Sequence, residues 1–80
     1  MIDIKDSLTL SDKHKYVVAS KANYNNKTYL YLIDINNNEN FKFCLLDNNK
    51  VIEIEDNILC AKLIPLFYKE AEKTLKEYNN

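Results

Sequence analysis

Hydrophobic and polar positions alternate along several short segments of the chain and then change to a helical spacing. The longest apolar segment, residues 28–35, concentrates β-branched and aromatic residues, so both faces of an extended strand there would be apolar. We predict that this segment is the central strand of a sheet. Further strands are predicted within residues 2–10 and at 15–24, 41–46 and 51–54.

Two pairs of asparagines mark the tight turns of this sheet. The chain contains no glycine, and Asn tolerates left-handed backbone better than other residues with a side chain. A two-residue turn at residues 25–26 would place Ala22 opposite Tyr29 and Tyr16 opposite Ile35. A turn of another length would shift this register by one residue and exchange the two faces.

The second pair of asparagines, at residues 48–49, predicts a second hairpin. With these two residues at the turn, Ile52 lies opposite Leu45 and Glu53 lies opposite Cys44. Both strands then direct their most apolar side chains to the same face. Turn chemistry and hydrophobic pattern therefore predict the same register.

A helix is predicted for the C-terminal part of the chain, with Asp56 as its N-cap. Because proline ends or kinks a helix but is accepted at a first helical position, we expect either one helix kinked at Pro65 or two helices at residues 56–63 and 65–78. The apolar stripe with helical spacing comprises Cys60, Ile64, Phe67, Ala71 and Leu75, flanked by Leu59, Leu63 and Leu66.

These elements predict an α+β fold. We expect a four- or five-stranded antiparallel meander with the C-terminal helix, or helix pair, packed on one face. Residues 1–78 would form a single compact domain, and residues 79–80 a disordered tail. The central strand is apolar on both faces, but only one long amphipathic element is available to cover them. We therefore expect part of the sheet to stay uncovered and available to a partner.

Composition excludes several classes of function. The chain has 11 basic and 12 acidic residues, all the basic ones being lysine, which argues against binding that depends on many phosphate contacts. Without glycine, no Gly-rich phosphate-binding loop is possible, and no cofactor is expected. The N-terminal sequence has no secretory pattern, no segment is apolar enough to span a bilayer, and two cysteines without CxxC spacing suit a reducing compartment. We therefore predict a cytoplasmic protein.

No catalytic or metal-binding motif is evident. His14 could act as a general base, but no nucleophile or carboxylate is placed beside it by a motif. Cys44 and Cys60 lack the spacing of metal ligands and are better explained as core thiols. The acidic residues 53, 55 and 56 are explained by a strand edge and a helix N-terminus, where negative charge is favourable. We predict neither an enzyme nor a metal site.

The tyrosines supply the candidate binding surface. Tyr16, Tyr29 and Tyr31 lie on neighbouring predicted strands, and Lys21 and Lys27 are close in sequence. Because tyrosine combines a rigid apolar ring with a polar tip, we predict that these five residues bind a protein partner or a second copy in a homodimer. Single-stranded nucleic acid is one alternative, with bases stacked on the rings and lysines along the phosphates. In another, the tyrosines fill the core.

The order of these segments also resembles a known family. An initial Leu-Thr-Leu strand, Tyr-Val-Val at residues 16–18, Asn-Lys-Thr-Tyr-Leu-Tyr-Leu at 26–32, Val-Ile-Glu-Ile-Glu-Asp at 51–56 and a C-terminal helix are similar to the small YrzB-like domains of unknown function in low-GC Gram-positive bacteria and their phages. The resemblance implies the α+β fold and a bacterial or phage setting, and no activity. The function predicted is non-catalytic protein binding, for example by a regulator or inhibitor of a host or mobile-element protein, such as a phage-encoded anti-defence or anti-CRISPR protein.

Overall fold

The computed structural model describes residues 2–78 and side chains up to residue 72; the predicted tail at residues 79–80 lies outside this range. It contains five strands and one helix, which confirms the predicted α+β meander in its five-stranded form. The elements are β1 (Ser7–Thr9), β2 (Lys15–Tyr24), β3 (Lys27–Asp34), β4 (Asn37–Asp47), β5 (Lys50–Glu53) and α1 (Asn57–Tyr78). The antiparallel sheet has the order β1-β2-β3-β4-β5 and curls into a half-barrel.

Asparagine pairs form both predicted hairpin turns. Asn25 and Asn26 have φ of 51° and 63°, and Asn48 and Asn49 have φ of 48° and 71°. Two consecutive residues with positive φ are typical of the type I′ turn, whose twist matches that of the flanking strands. The register predicted for β4 and β5 is confirmed, because Leu45 pairs with Ile52 and Cys44 with Glu53.

A β-bulge interrupts β2 at Ala19. On the hairpin side of the bulge, Ala22 pairs with Tyr29 and Ser20 with Tyr31, as the two-residue turn predicts. The extra residue leaves Ala19 without a partner on β3, because the next pair along the ladder joins residues 18 and 32. A bulge of one residue reverses the alternation of side chains in the rest of the strand.

The predicted pairing of Tyr16 with Ile35 is therefore wrong. Tyr16 pairs with Asp34, and Val17 pairs with Ile33. As a result, Tyr16 shares a face with the apolar residues 30 and 32 of β3, and Val17 moves to the face that carries Tyr29 and Tyr31.

Each face of the sheet packs against another segment of the chain. The face that lies away from α1, which we call the opposite face, carries the buried residues Tyr16, Val18, Leu30, Leu32 and Cys44. It packs against the N-terminal segment through Ile2, Ile4, Leu8 and Leu10. The helix face carries Ala22, Tyr29, Tyr31, Phe43 and Leu45, and packs against Leu63 and Phe67 of α1. The sheet of this small domain thus separates two apolar clusters.

Helix α1 is continuous through Pro65, so the single-helix alternative holds. Asp56 caps it as predicted, because its Oδ1 accepts hydrogen bonds from the backbone N–H groups of residues 58 and 59 at 3.0 and 3.3 Å. Leu63, predicted to flank the buried stripe, is 0% exposed, whereas Ile64, predicted to lie within it, is 42% exposed. The contact face is therefore rotated from the predicted one. The side chain of Leu75 lies outside the described residues.

Candidate functional site

One row of the helix face lies outside the described apolar cluster beneath α1. Val17, Ile33 and Phe41 form one row across β2, β3 and β4, as their pairing shows. Val17 and Ile33 are half-buried and Phe41 is 52% exposed. None of the three belongs to the described apolar cluster that α1 covers. We call this row the floor.

An apolar groove of about 540 Å³ lies between the sheet and one side of α1. Ile64, Tyr68 and Ala71 form its helical side, which we call the wall, and Phe41 reaches it from the floor. Its base consists of Tyr31, Phe43 and Phe67. None of the nine described residues that line this groove is charged.

The base of the groove is a packed aromatic cluster. The ring centroids of Phe43 and Phe67 are 5.4 Å apart, those of Tyr31 and Phe43 are 5.5 Å apart, and those of Tyr31 and Phe67 are 5.8 Å apart. Phe41 joins the cluster at 5.8 Å from Tyr31. The Ser20 hydroxyl donates a hydrogen bond to the Phe67 carbonyl at 3.1 Å and so fixes α1 against β2. The groove is consequently pre-formed.

The rim of the groove exposes large apolar side chains. Tyr68 is 70% exposed and Ile64 is 42% exposed, and together with Phe41 they form a contiguous patch around the groove. Sequence reasoning missed Tyr68, and it placed Ile64 in the core. The signal available was their spacing, because residues 64, 68 and 71 share one side of a helix.

The five predicted partner-binding residues are dispersed. Tyr16 and Tyr29 are buried, at 0% and 5% exposure, so for these two the alternative in which tyrosines fill the core matches the structure. Tyr31 is half-buried at the base of the groove. Lys21 lies on the opposite face, where its side chain donates a hydrogen bond to a backbone carbonyl of the N-terminal segment at 3.1 Å. Lys27 is exposed at the hairpin turn. Only Tyr31 lines the groove.

His14 belongs to a polar cluster that lies outside the groove. Its Nδ1 lies 2.8 Å from Oδ2 of Asp34, which is 3% exposed. Asn40 donates to the same Oδ2 at 3.1 Å and to the Tyr16 hydroxyl at 3.0 Å, and that hydroxyl donates to Asp12 at 2.7 Å. The cluster joins the turn before β2 to the end of β3 and the first half of β4.

The chemistry of this cluster is that of a structural ion pair. The hydrogen bond from His14 lowers the pKa of Asp34 to about 2, and the same bond raises the pKa of His14. Both oxygens of Asp34 are hydrogen-bonded, since Oδ1 also accepts from the backbone N–H of Asn36 at 2.9 Å. Burial raises the pKa of the Tyr16 hydroxyl, which disfavours a tyrosinate. The side chains thus hold the turn before β2 against the sheet and present no activated nucleophile.

The His14–Asp34 pair should make stability depend on pH. Below pH 6.5, the ordinary pKa of histidine, His14 is charged in both the folded and the unfolded chain, and the pair stabilises the fold fully. As the pH rises through the raised folded-state pKa, this contribution is lost. Urea unfolding between about pH 6 and pH 9 should show falling stability for the wild type and a flatter profile for His14→Gln, which cannot titrate.

The pH dependence of stability that Asp34 contributes has the opposite sign to that of His14. Since the pKa of Asp34 is lowered from 3.8 to about 2, its contribution is present above pH 3.8 and is lost as the pH falls toward 2. For the His14 prediction, plots of unfolding free energy against pH that have identical slopes for the wild type and His14→Gln above neutral pH would contradict the assigned ion pair.

The cysteines are free thiols. Cys44 is buried, and burial raises its pKa to about 11; burial also raises the pKa of Cys60. Neither thiol is therefore activated near neutral pH. Among the residues that the structure describes, no group of three His, Cys, Asp or Glu side chains is arranged to hold a metal ion.

No protein-family model, curated protein or solved structure matches this chain. Within the described range, no helix is both long and apolar enough to cross a membrane. The resemblance to YrzB-like domains stays a prediction. The groove and the polar cluster are thus the features from which a function can be argued.

Proposed function

We propose that this chain is a non-catalytic protein-binding domain and that the groove beside α1 is its binding surface. The observation that carries the proposal is the exposure of Phe41, Ile64 and Tyr68 around an uncharged aromatic base. Large apolar patches on small proteins commonly mark interaction sites, and aromatic residues are enriched at interface centres. By occupying a surface of its target, such a domain would act as a regulator or inhibitor of another bacterial or phage protein.

Charge placement favours protein over single-stranded nucleic acid. A nucleic-acid platform needs cations beside its aromatic rings to follow the phosphates. Lys21 and Lys42 pair with Leu30 and Leu32, and so lie on the face opposite the groove. Lys42 is also engaged with Glu53 at 2.8 Å. Lys27 shares the helix face but lies at the hairpin turn, and none of the described residues that line the groove is a lysine.

Tyr68→Ser tests this proposal. We expect tagged wild-type protein to retain a protein from a lysate of the source cell at physiological salt, and Tyr68→Ser to retain at least about tenfold less, as for an aromatic residue central to an interface. Ile58→Ser is the matched control, because Ile58 is 72% exposed on the same helix but does not line the groove. It should capture as much as the wild type.

Two results would contradict the proposal. Equal capture by Tyr68→Ser and Ile58→Ser would show that the groove is not part of the interface. Recovery of nuclease-sensitive material alone would favour nucleic acid. Thermal unfolding of both variants should match the wild type within a few degrees, because exposed side chains contribute little to stability.

A further inference from the structure

The two edge strands of the sheet line one cavity. β1 and β5 are the first and last strands in the sheet order, so within the described residues each has one side without a neighbouring strand. Leu8 and Thr9 of β1 and Val51 and Glu53 of β5 line a cavity of about 370 Å³. Buried Cys44 of the opposite face also lines it, so the cavity lies on the side of the sheet away from α1. We call this cavity, to which the curl of the half-barrel brings both edges, the seam.

β5 directs unpaired backbone groups away from β4. In an antiparallel ladder, every second residue of a strand forms its hydrogen bonds with the same neighbour. The N–H of Ile54 donates to the Phe43 carbonyl of β4 at 2.8 Å, so residues 50 and 52 bond to β4 as well. Val51 and Glu53 therefore direct their N–H and C=O groups to the open side of β5. No backbone partner for these groups occurs among the residues that the structure describes.

β1 presents the same kind of groups from the other edge. The N–H of Leu10 donates to the His14 carbonyl at 3.1 Å, so the even-numbered residues of this segment bond to β2. Ser7 and Thr9 consequently direct their N–H and C=O groups away from β2. An extended chain supplies donors and acceptors at the spacing of such strand edges, whereas the backbone groups of a helix are bonded internally. The backbone at the seam therefore favours a strand as its occupant.

We propose that an extended segment of a partner protein adds to β5 at the seam as a sixth strand. Alternate side chains of that segment would point to the two faces of the sheet. Those on the opposite face would enter the seam beside Val51, and those on the helix face would pack beside Ile52, which is 46% exposed. The seam shares no lining residue with the groove, so strand addition is independent of the proposed function.

The charges at the seam define which side chains can enter it. Among the described residues that line it, Asp12, Lys42 and Glu53 are charged. The Lys42 ammonium lies 2.8 Å from the Glu53 carboxylate, and the Lys42 side chain is only 20% exposed. The charge of Asp12 is left in excess, because a hydrogen bond from the Tyr16 hydroxyl at 2.7 Å lowers the pKa of Asp12 and keeps it ionised. We therefore expect apolar or basic side chains, and no acidic ones, on the inward face of the added strand.

The same charges argue against a second copy of this chain as the added strand. In an antiparallel pairing of two β5 strands that continues the sheet, Val51 and Glu53 of the second copy would also lie on the opposite face. A second Glu53 would then meet a seam whose net charge is already negative. The added segment therefore belongs to a different protein.

Peptide display followed by amide exchange tests strand addition. Two libraries of eight-residue peptides would have the same composition, rich in apolar and basic residues, with the apolar positions either in strict alternation or in helical spacing. We expect selection on the wild-type protein to enrich the alternating library. A selected peptide should slow exchange of the Val51 and Glu53 amide protons at least about tenfold, because both would become hydrogen-bonded.

Val51→Pro tests the same backbone groups by substitution. The N–H of Val51 points away from β4, so proline removes a donor to the added strand and keeps the bonds to β4. Selected peptides should bind Val51→Pro at least about tenfold more weakly than the wild type, whereas Val51→Thr, which keeps the N–H, should bind far better than Val51→Pro. Ile58→Ser, at a position 72% exposed and outside the seam, should bind like the wild type. Far-UV circular dichroism would establish that Val51→Pro is folded, and if it is not, amide exchange in the wild type decides.

Three results would overturn strand addition at the seam. One is enrichment of the helical library. Another is unchanged amide exchange at residues 51 and 53 when a selected peptide binds. The third is a dimer of the free protein in analytical ultracentrifugation that Val51→Pro dissociates, which would assign the edge to a second copy. None of these results changes the expectation for Tyr68→Ser, so the groove would keep its proposed function.

Discussion

Deleting Ala19 should leave the domain folded with the same two faces. The deletion joins Val18 directly to Ser20, and because their partners are already adjacent on β3, the ladder becomes continuous while every observed pair is kept. Tyr16 and Val18, which are 0% and 1% exposed, therefore stay buried on the opposite face. We expect the free energy of unfolding to change by less than about 2 kcal/mol, out of the stability of about 5 kcal/mol expected for a chain of this size.

Far-UV circular dichroism and urea unfolding would measure the effect of this deletion. Ala19→Ser is the control, since it keeps the bulge and places a small polar group at a half-buried position. It should change the free energy of unfolding by less than about 1 kcal/mol. A deletion variant without a cooperative unfolding transition would contradict this pairing of β2 with β3.

Leu63→Ala should lower the free energy of unfolding by about 3 kcal/mol, because removing a buried leucine loses transfer energy and leaves a cavity. Leu63 is 0% exposed and, with Phe67, forms the helical half of the cluster beneath α1. Urea unfolding would give the value. Ile58→Ala, at a position of α1 that is 72% exposed, should cost less than about 1 kcal/mol. Equal effects of the two substitutions would mean that α1 contributes little to stability through this contact.

Local signals predicted most of the fold. The asparagine pairs determined both hairpins, because their chemistry acts within two residues, and Asp56 marked the start of α1 for the same reason. Alternation of apolar residues in β4 and β5 then predicted their register correctly. Pro65 was ambiguous in the sequence, since proline is compatible with a kink as well as with a new helix, and only the packing on both sides of it selects a single helix.

The candidate site depends on contacts that local patterns do not contain. Ala19 has no feature that distinguishes a bulge from an ordinary strand position, yet the bulge brings Val17 to the floor. The angle at which α1 rests on the sheet decides that Leu63 is buried while Ile64 and Tyr68 remain exposed. The face and exposure of these side chains depend on how whole secondary-structure elements pack against each other.

The polar cluster was missed for a related reason. His14 and Asp34 are 20 residues apart, and a single acidic residue at the end of a strand gives no sign that a histidine will reach it. Only the bulged register, which pairs residue 16 with Asp34, brings the turn that carries His14 to that position.

The strand order also has a kinetic consequence. Every neighbouring pair of strands is consecutive in the chain, so each hairpin can close over a short loop with little entropy cost. The hydrogen bond between Ser20 and Phe67 spans 47 residues, so we expect the docking of α1 to be the slowest closure in folding. We expect amide protons of β2 and β3 to be protected from exchange earlier in folding than those of α1. A partner that binds the wall of α1 would then bind only to molecules in which α1 has docked on the sheet.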